Sequence, residues 1–282
     1  MKQLLLTLRF YATGGYLTTM GDMFSVHKTT TRRIIKKVSA AAASLRPQYI
    51  HLPHTNEELA EVQHGFHQIP AFPRVFGTLD CTHVRIKSPG GEVPEGFRNR
   101  NGYFPINCQT VSDHQLLITD IVARWSRSTY DMTIFNNSVS KARLERGDFG
   151  NGTILCVSGY AVGRRILPPL GNPATPEDHL YNESLTRTRN TVERQYGVLK
   201  ARFPVLALGI RLHLDHVNAV IVAYAVIHNT AIGMREDVPP VDREFQNEVN
   251  MAIVEGEIPV INDEIGPEAV RHTFVDYFRR LR

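Results

Sequence analysis

The sequence predicts an α/β layered domain behind a helical front, and three observations carry that expectation. Over residues 72–233, strand-like apolar runs come first and strongly periodic helices follow, the pattern of a sheet with helices packed on it. Residues 1–50 are helical in period and poor in proline, and read as a helix-turn-helix-like DNA-binding region. Charge is split between the ends: residues 1–50 hold eight Lys/Arg against one acid, Asp22, while residues 235–282 hold eleven Asp/Glu against six Arg. A basic front suits a polyanionic partner, with the acidic tail as a solubilising or self-screening segment.

In the front, "GDMFSVHKTTTRRIIKKVSAAAASL" reads as helix, turn, helix. Met23 and Phe24 are expected to pack the first helix, Thr29 or Thr30 to cap the second, and Ile34, Ile35 and Val38 to form its apolar stripe. Arg32, Arg33, Lys36 and Lys37 then point outward with no acid to balance them, as on a helix that contacts DNA phosphate. The opening "QLLLTLRFYATGGYL" is broken by Arg9 and lacks the layout of a secretory signal. Apolar runs stop short of the roughly 20 residues a membrane span needs, so no membrane is expected. Cys81, Cys108 and Cys156 have no paired spacing, which fits a reducing compartment and speaks against a disulfide framework or a cysteine zinc site.

A connector, residues 51–71, carries prolines at both ends and a short helix from Glu57 to Gly65. Its His51, His54, His64 and His67 lack acidic or cysteine partners at ligand spacing and read as surface residues. The main domain, 72–233, begins with "VFGTLDCTHVRI", a strand with one acid, Asp80. "FPINCQTVSD" and "LLITDIVARW" read as antiparallel strands turning at Asp113 and His114. "GTILCVSGYAV" is a further strand, "ESLTRTRNTVERQYGVLKARF" a periodic helix and "LDHVNAVIVAYAVIHNTAI" a buried one. The tail, 234–282, is acidic and ends in a helix at "PEAVRHTFVDYFRRLR".

Two acids ask for an explanation. Asp80 sits in an apolar strand, where a carboxylate is costly unless a metal, a cation or donors satisfy it. Glu193 is the only acid from 184 to 202, among Arg187, Arg189, Arg194, Lys200 and Arg202. Val192, Tyr196, Leu199 and Phe203 should face the core, leaving positions 189, 193, 197 and 200 on one face, with open space at Gly197. Glu193 is then either an ion-pair partner or a metal ligand beside a phosphate-binding wall. Arg98 and Arg100, set among Asn99, Asn101 and Tyr103, have the chemistry for phosphate and base contacts.

Taken in order, "GTLDCTHVRI", "FRNRNGYFPINCQTVSD", "ITDIVARWSRSTYDMTIFNNS", "SGYAV", "LPPL", "YNESLTRTRNTVERQYGVLKARFPVL" and "VIHN" resemble the Harbinger transposase-derived nucleases and their PIF/Harbinger parent transposases. That resemblance implies a ribonuclease-H-like fold and a DDE site, Asp, Asp and Glu, binding divalent metal, Mg²⁺ or Mn²⁺, for phosphodiester cleavage. By resemblance, Asp80 is the first Asp and Glu193 the Glu. The second Asp, which the family places just before Ser-Gly-Tyr, is Val157 here, and a valine can neither ligate nor carry charge. Cys81 stands where the family usually has Gly, and the segment before Asp131 has lost a Pro-Gly-Ser-type turn and a His. Asp120 and Asp131 are the acids that could substitute. Two readings stay open: a metal-dependent DNA nuclease, or a domesticated copy that binds DNA or protein without cutting. The resemblance further implies a Myb-like DNA-binding partner and a nuclear location, with the cytoplasm as the alternative.

Overall fold

Strands β1 (Val75–Ile86), β2 (Phe104–Ser112) and β3 (Ile118–Ser126) form an antiparallel meander. Strand β4 (Thr153–Cys156) then pairs parallel with β1, and β5 (Ile166–Leu167) parallel with β4, giving a mixed sheet of order β3-β2-β1-β4-β5. This computed structural model describes residues 1–68, 72–86, 104–126, 129–234 and 266–280. The loop with Arg98 and Arg100, and the acidic segment before Gly266, lie outside the described residues.

Alternation along the strands decides which side chains meet. Asp80, Thr110 and Ile121 share one cross-strand row, and Leu79, Val111 and Asp120 the next, so the two rows face opposite sides of the sheet. The side of Leu79 is covered by α5 (Asn56–His67), α6 (Asp131–Asn136) and α7 (Val139–Glu145), with Phe76, Val111, Phe135, Leu144 and Phe149 in its core. The side of Asp80 receives the 27-residue α8 (Pro176–Arg202), the short α9 (Val205–Leu208) and α10 (Leu214–Gly233). Thr175 opens α8 with a complete capping box, its hydroxyl accepting from Asp178 N while the Asp178 carboxylate accepts from Thr175 N. The last helix, α11 (Pro267–Arg280), docks on α8 through Phe274 and Phe278, which pack with Phe72 and Tyr181.

The front comprises α1 (Lys2–Thr13), α2 (Leu17–Phe24), α3 (Lys28–Ser44) and the one-turn α4 (Arg46–Tyr49). Leu6, Phe10, Tyr11, Leu17, Met20 and Ile35 join one core with Phe203, Val220 and Tyr224, so residues 1–50 share their interior with the main domain. Gly21 permits the α2–α3 turn, since a Cβ there would lie 2.4 Å from Val26 O. Two local expectations fail. Met23 is 56% exposed, because the buried stripe of α2 runs through Leu17, Met20 and Gly21. The cap of α3 is His27, whose Nδ1 accepts from Thr29 N, because the chain is already helical from Lys28.

The "VIHN" segment of α10 fastens the sheet to this front. Asn229 Oδ1 accepts from Ile118 N at 2.9 Å, and its Nδ2 donates to Ile118 O at 2.8 Å and to Tyr49 O at 2.6 Å. His228, fully buried, lies between Leu116 O and Arg202 Nη1, at 2.9 and 2.8 Å.

Candidate functional site

The β1–β4 ladder ends at the pair Leu79–Cys156, and the next residues, Asp80 and Val157, lie just past it. The acid and the valine are therefore neighbours across two parallel strands, the register in which the resemblance expects two carboxylates. Val157 packs its side chain against the Leu79 core.

Glu193 reaches the same place from α8, and one arginine joins it to Asp80. Arg189 Nη1 lies 3.3 Å from Asp80 Oδ2 and 2.8 Å from Glu193 Oε1. The helix dictates this: 189 and 193 are four residues apart on one face, and Gly197 leaves the next turn open. Asp80 Oδ1 accepts from Cys81 N at 2.7 Å, and its backbone carbonyl accepts from Tyr196 Oη at 2.6 Å. Burial pushes the Asp80 carboxyl up; the Cys81 amide and Arg189 pull it down, and Asp131 and Glu193 push it up again.

Asp131, the first residue of α6, comes to the site from the opposite side of the sheet. Its Oδ1 accepts from Asn107 Nδ2 at 3.1 Å, and its Oδ2 passes so close to Gly159 that a Cβ there would lie 3.3 Å away, with Val157 Cγ2 at 3.9 Å from the same point. Asp131 thus lies against the turn that carries Val157. Asp120 does not take that part. It faces away from Asp80 and is consumed by structure, accepting from Ile121 N, from Ser140 N and Oγ, and from Arg46 Nη2.

The sequence reading missed a buried polar string beside these acids. Cys81 Sγ lies 3.3 Å from Tyr160 Oη, which donates to Gln109 Oε1 at 3.2 Å. On the other side, the Thr110 hydroxyl is 2.9 Å from Tyr196 Oη and 3.1 Å from Gln195 Oε1. Burial raises the thiol of Cys81 and the phenols of Tyr160 and Tyr196, so all three stay protonated and serve as donors. The available signal was the tyrosine of Ser-Gly-Tyr, which period alone assigns to the core.

The expected cationic wall of α8 is half-buried and largely engaged within the protein. Arg189 holds the two acids, Arg187 pairs with Glu183, Lys200 Nζ donates to Thr82 Oγ1 at 2.8 Å, and Arg194 is half-buried. On α3, by contrast, Arg32, Arg33, Lys36 and Lys37 are all exposed, and none forms an ion pair among the described residues.

These residues do not fit a two-metal centre as they stand. A guanidinium sits between Asp80 and Glu193, Val157 is aliphatic, and no group of three or more His, Cys, Asp or Glu among the described residues is placed to hold a metal ion.

A family model described as DDE superfamily endonuclease matches residues 79–229, a span that opens one residue before Asp80 and closes on Asn229. "Putative nuclease HARBI1" of Bos taurus is 27% identical over 239 residues, covering 84% of this chain and 68% of its own. Its Homo sapiens counterpart is 26% identical over the same shares, and "Protein ALP1-like" of Arabidopsis thaliana is 24% identical over 250 residues, 81% of this chain and 60% of its own. No solved structure gives a significant match. The superfamily is ribonuclease-H-like and typically uses divalent metals.

Proposed function

Because the chain belongs to the DDE superfamily endonucleases, we propose that it is a transposase-derived protein of nuclease lineage that binds DNA through α3 and whose cutting site is disarmed. The matched family and relatives support a nuclease-like function. The observation behind the disarmed reading is the Arg189 guanidinium shared by Asp80 and Glu193, with Val157 where a third carboxylate would complete the site. An internal cation neutralises the acids, and too few hard oxygen ligands remain to clamp both the attacking and the leaving oxygen of a phosphodiester. The unbalanced cations of α3, carried on a helix locked by Ile35 into the shared core, have the chemistry to hold phosphate.

A second reading has its own support. Asp131 lies against the Val157–Gly159 turn and acts electrostatically on Asp80, so it is the acid best placed to stand in for the missing one. Supercoiled DNA incubated with Mg²⁺ or Mn²⁺ separates the two. The disarmed reading expects no nicking by the natural protein and nicking by Val157→Asp. Nicking by the natural protein that Asp80→Ala and Asp131→Asn both abolish would replace it with the second reading. A Myb-like partner and a nuclear location belong to the same proposal, and pull-down from nuclear extract with imaging of the tagged chain tests them.

A further inference from the structure

A cleft of about 560 Å³ lies at the β5 edge of the sheet, away from α3, between the end of α7, the turn leading into β5 and the start of α11. Four cations line it, Lys141, Arg146, Arg164 and Arg165, against one acid, Glu145. Glu145 is spent on Lys141 at 3.0 Å, and Arg146 shares Asp148 Oδ2 with Arg143 at 2.9 and 2.8 Å, so a single carboxylate oxygen serves two guanidinia. Arg164 is exposed and forms no ion pair among the described residues. Among the described residues, Arg164 and the shared Asp148 thus leave positive charge uncompensated.

The backbone holds this cluster in place. Gly163 N donates to Ile166 O at 2.9 Å and Ile166 N to Gly163 O at 3.3 Å, which makes a tight turn with Arg164 and Arg165 at its tip. Ile154 N donates to Arg165 O at 2.8 Å, tying the tip to β4. Because β5 pairs parallel with β4, Ile154 beside Ile166, this turn lies at the Thr153 end of β4, the end away from Val157 and Asp80. Arginine on a concave, cationic edge suits the planar, bidentate recognition of phosphate oxygens better than lysine would.

We propose that this cleft is a second phosphate-binding surface, which holds the backbone of a DNA duplex beyond the part held by α3. The inference rests on the DNA-binding reading above, and the experiment separates their failures. Fluorescence anisotropy with a labelled duplex several helical turns long is measured across a salt series for the natural protein, for Arg146→Ala/Arg164→Ala and for Arg33→Ala/Lys37→Ala. Each lost phosphate contact lowers the slope of log Kd against log salt by about 0.9, so the cleft variant should lose about 1.8 and bind roughly tenfold more weakly. Arg164→Lys should keep most of the slope and lose part of the affinity, and unchanged thermal melting should show the fold intact. A cleft variant with natural slope and affinity, while the α3 variant is impaired, overturns this proposal and leaves DNA binding through α3 standing. No duplex binding by the natural protein overturns both.

Discussion

Replacing Arg189 by methionine removes a guanidinium that touches two carboxylates, and the two contacts should not cost the same. The Arg189 side chain is 15% exposed, that of Asp80 17% and that of Glu193 54%. Losing the half-exposed Glu193 contact costs about 0–1 kcal/mol, because water screens it and can replace it. Stranding a fully enclosed carboxylate costs about 3–5 kcal/mol. The Cys81 amide and the remaining exposure of Asp80 moderate this, giving about 2 kcal/mol in all, or about 4–8 °C in Tm for a chain of this size. The pH dependence follows from linkage. Asp80 is already raised by burial, and losing Arg189 raises it further, so the variant's penalty exists only where Asp80 is ionised. As pH falls through the raised value the carboxyl takes up its proton in the folded state and the penalty fades. Urea denaturation at about pH 7.5 and about pH 4.5 should therefore show a large loss at the first and a small one at the second. Asp80→Asn in the Arg189→Met background should restore most of the loss at the higher pH. Equal losses at both pH values, or no rescue, would refute the assignment of Arg189 as the cation that Asp80 depends on.

Asn229→Ala strands the amide and carbonyl of Ile118 and the carbonyl of Tyr49, and should cost about 2–4 kcal/mol in urea denaturation, with Asn229→Asp recovering the part due to the Ile118 amide. His228 is lowered by burial to about 4 from its ordinary 6.5, so the unfolded chain takes the proton first and stability is lost as pH falls through that window. Asp113, raised by burial to about 7, acts with the opposite sign, so the His228 contribution is read as the difference between the natural protein and His228→Gln. The pH-dependent part of that difference should reach about 3 kcal/mol near pH 4 and level off above pH 7; a flat difference would show that His228 is not held neutral.

Much of the fold was legible because its elements advertise a period. The β1–β3 meander and the turn at Asp113 follow from alternation and from polar turn residues, and the face of α8 follows from Val192, Tyr196 and Leu199 at helical spacing. Asp80 and Glu193 stood out for a related reason: each is an acid in a setting that should not hold one. Asp120 and Asp131 looked equivalent on the page, and alternation alone could not separate them. The β2–β3 ladder shifts register between Asn107 and Gln109 and between Val111 and Ser112, and such shifts are set by the pairing of two strands. Met23 was misplaced because α2 is too short for its period to be unambiguous.

The sequence by itself determined the order of strands and helices, the membership of the family, the acids Asp80 and Glu193, and the valine at 157. All of these are properties of local pattern or of residue identity. Tertiary structure alone decided that Arg189 spans the two acids and that Asp131 lies on the turn bearing Val157. It also showed that Arg187, Arg189 and Lys200 of α8 hold partners within the protein while the cations of α3 stay in water. A side chain's charge is written in the sequence, but the partner that cancels it comes from a distant part of the chain, and only folding brings the two within hydrogen-bonding reach.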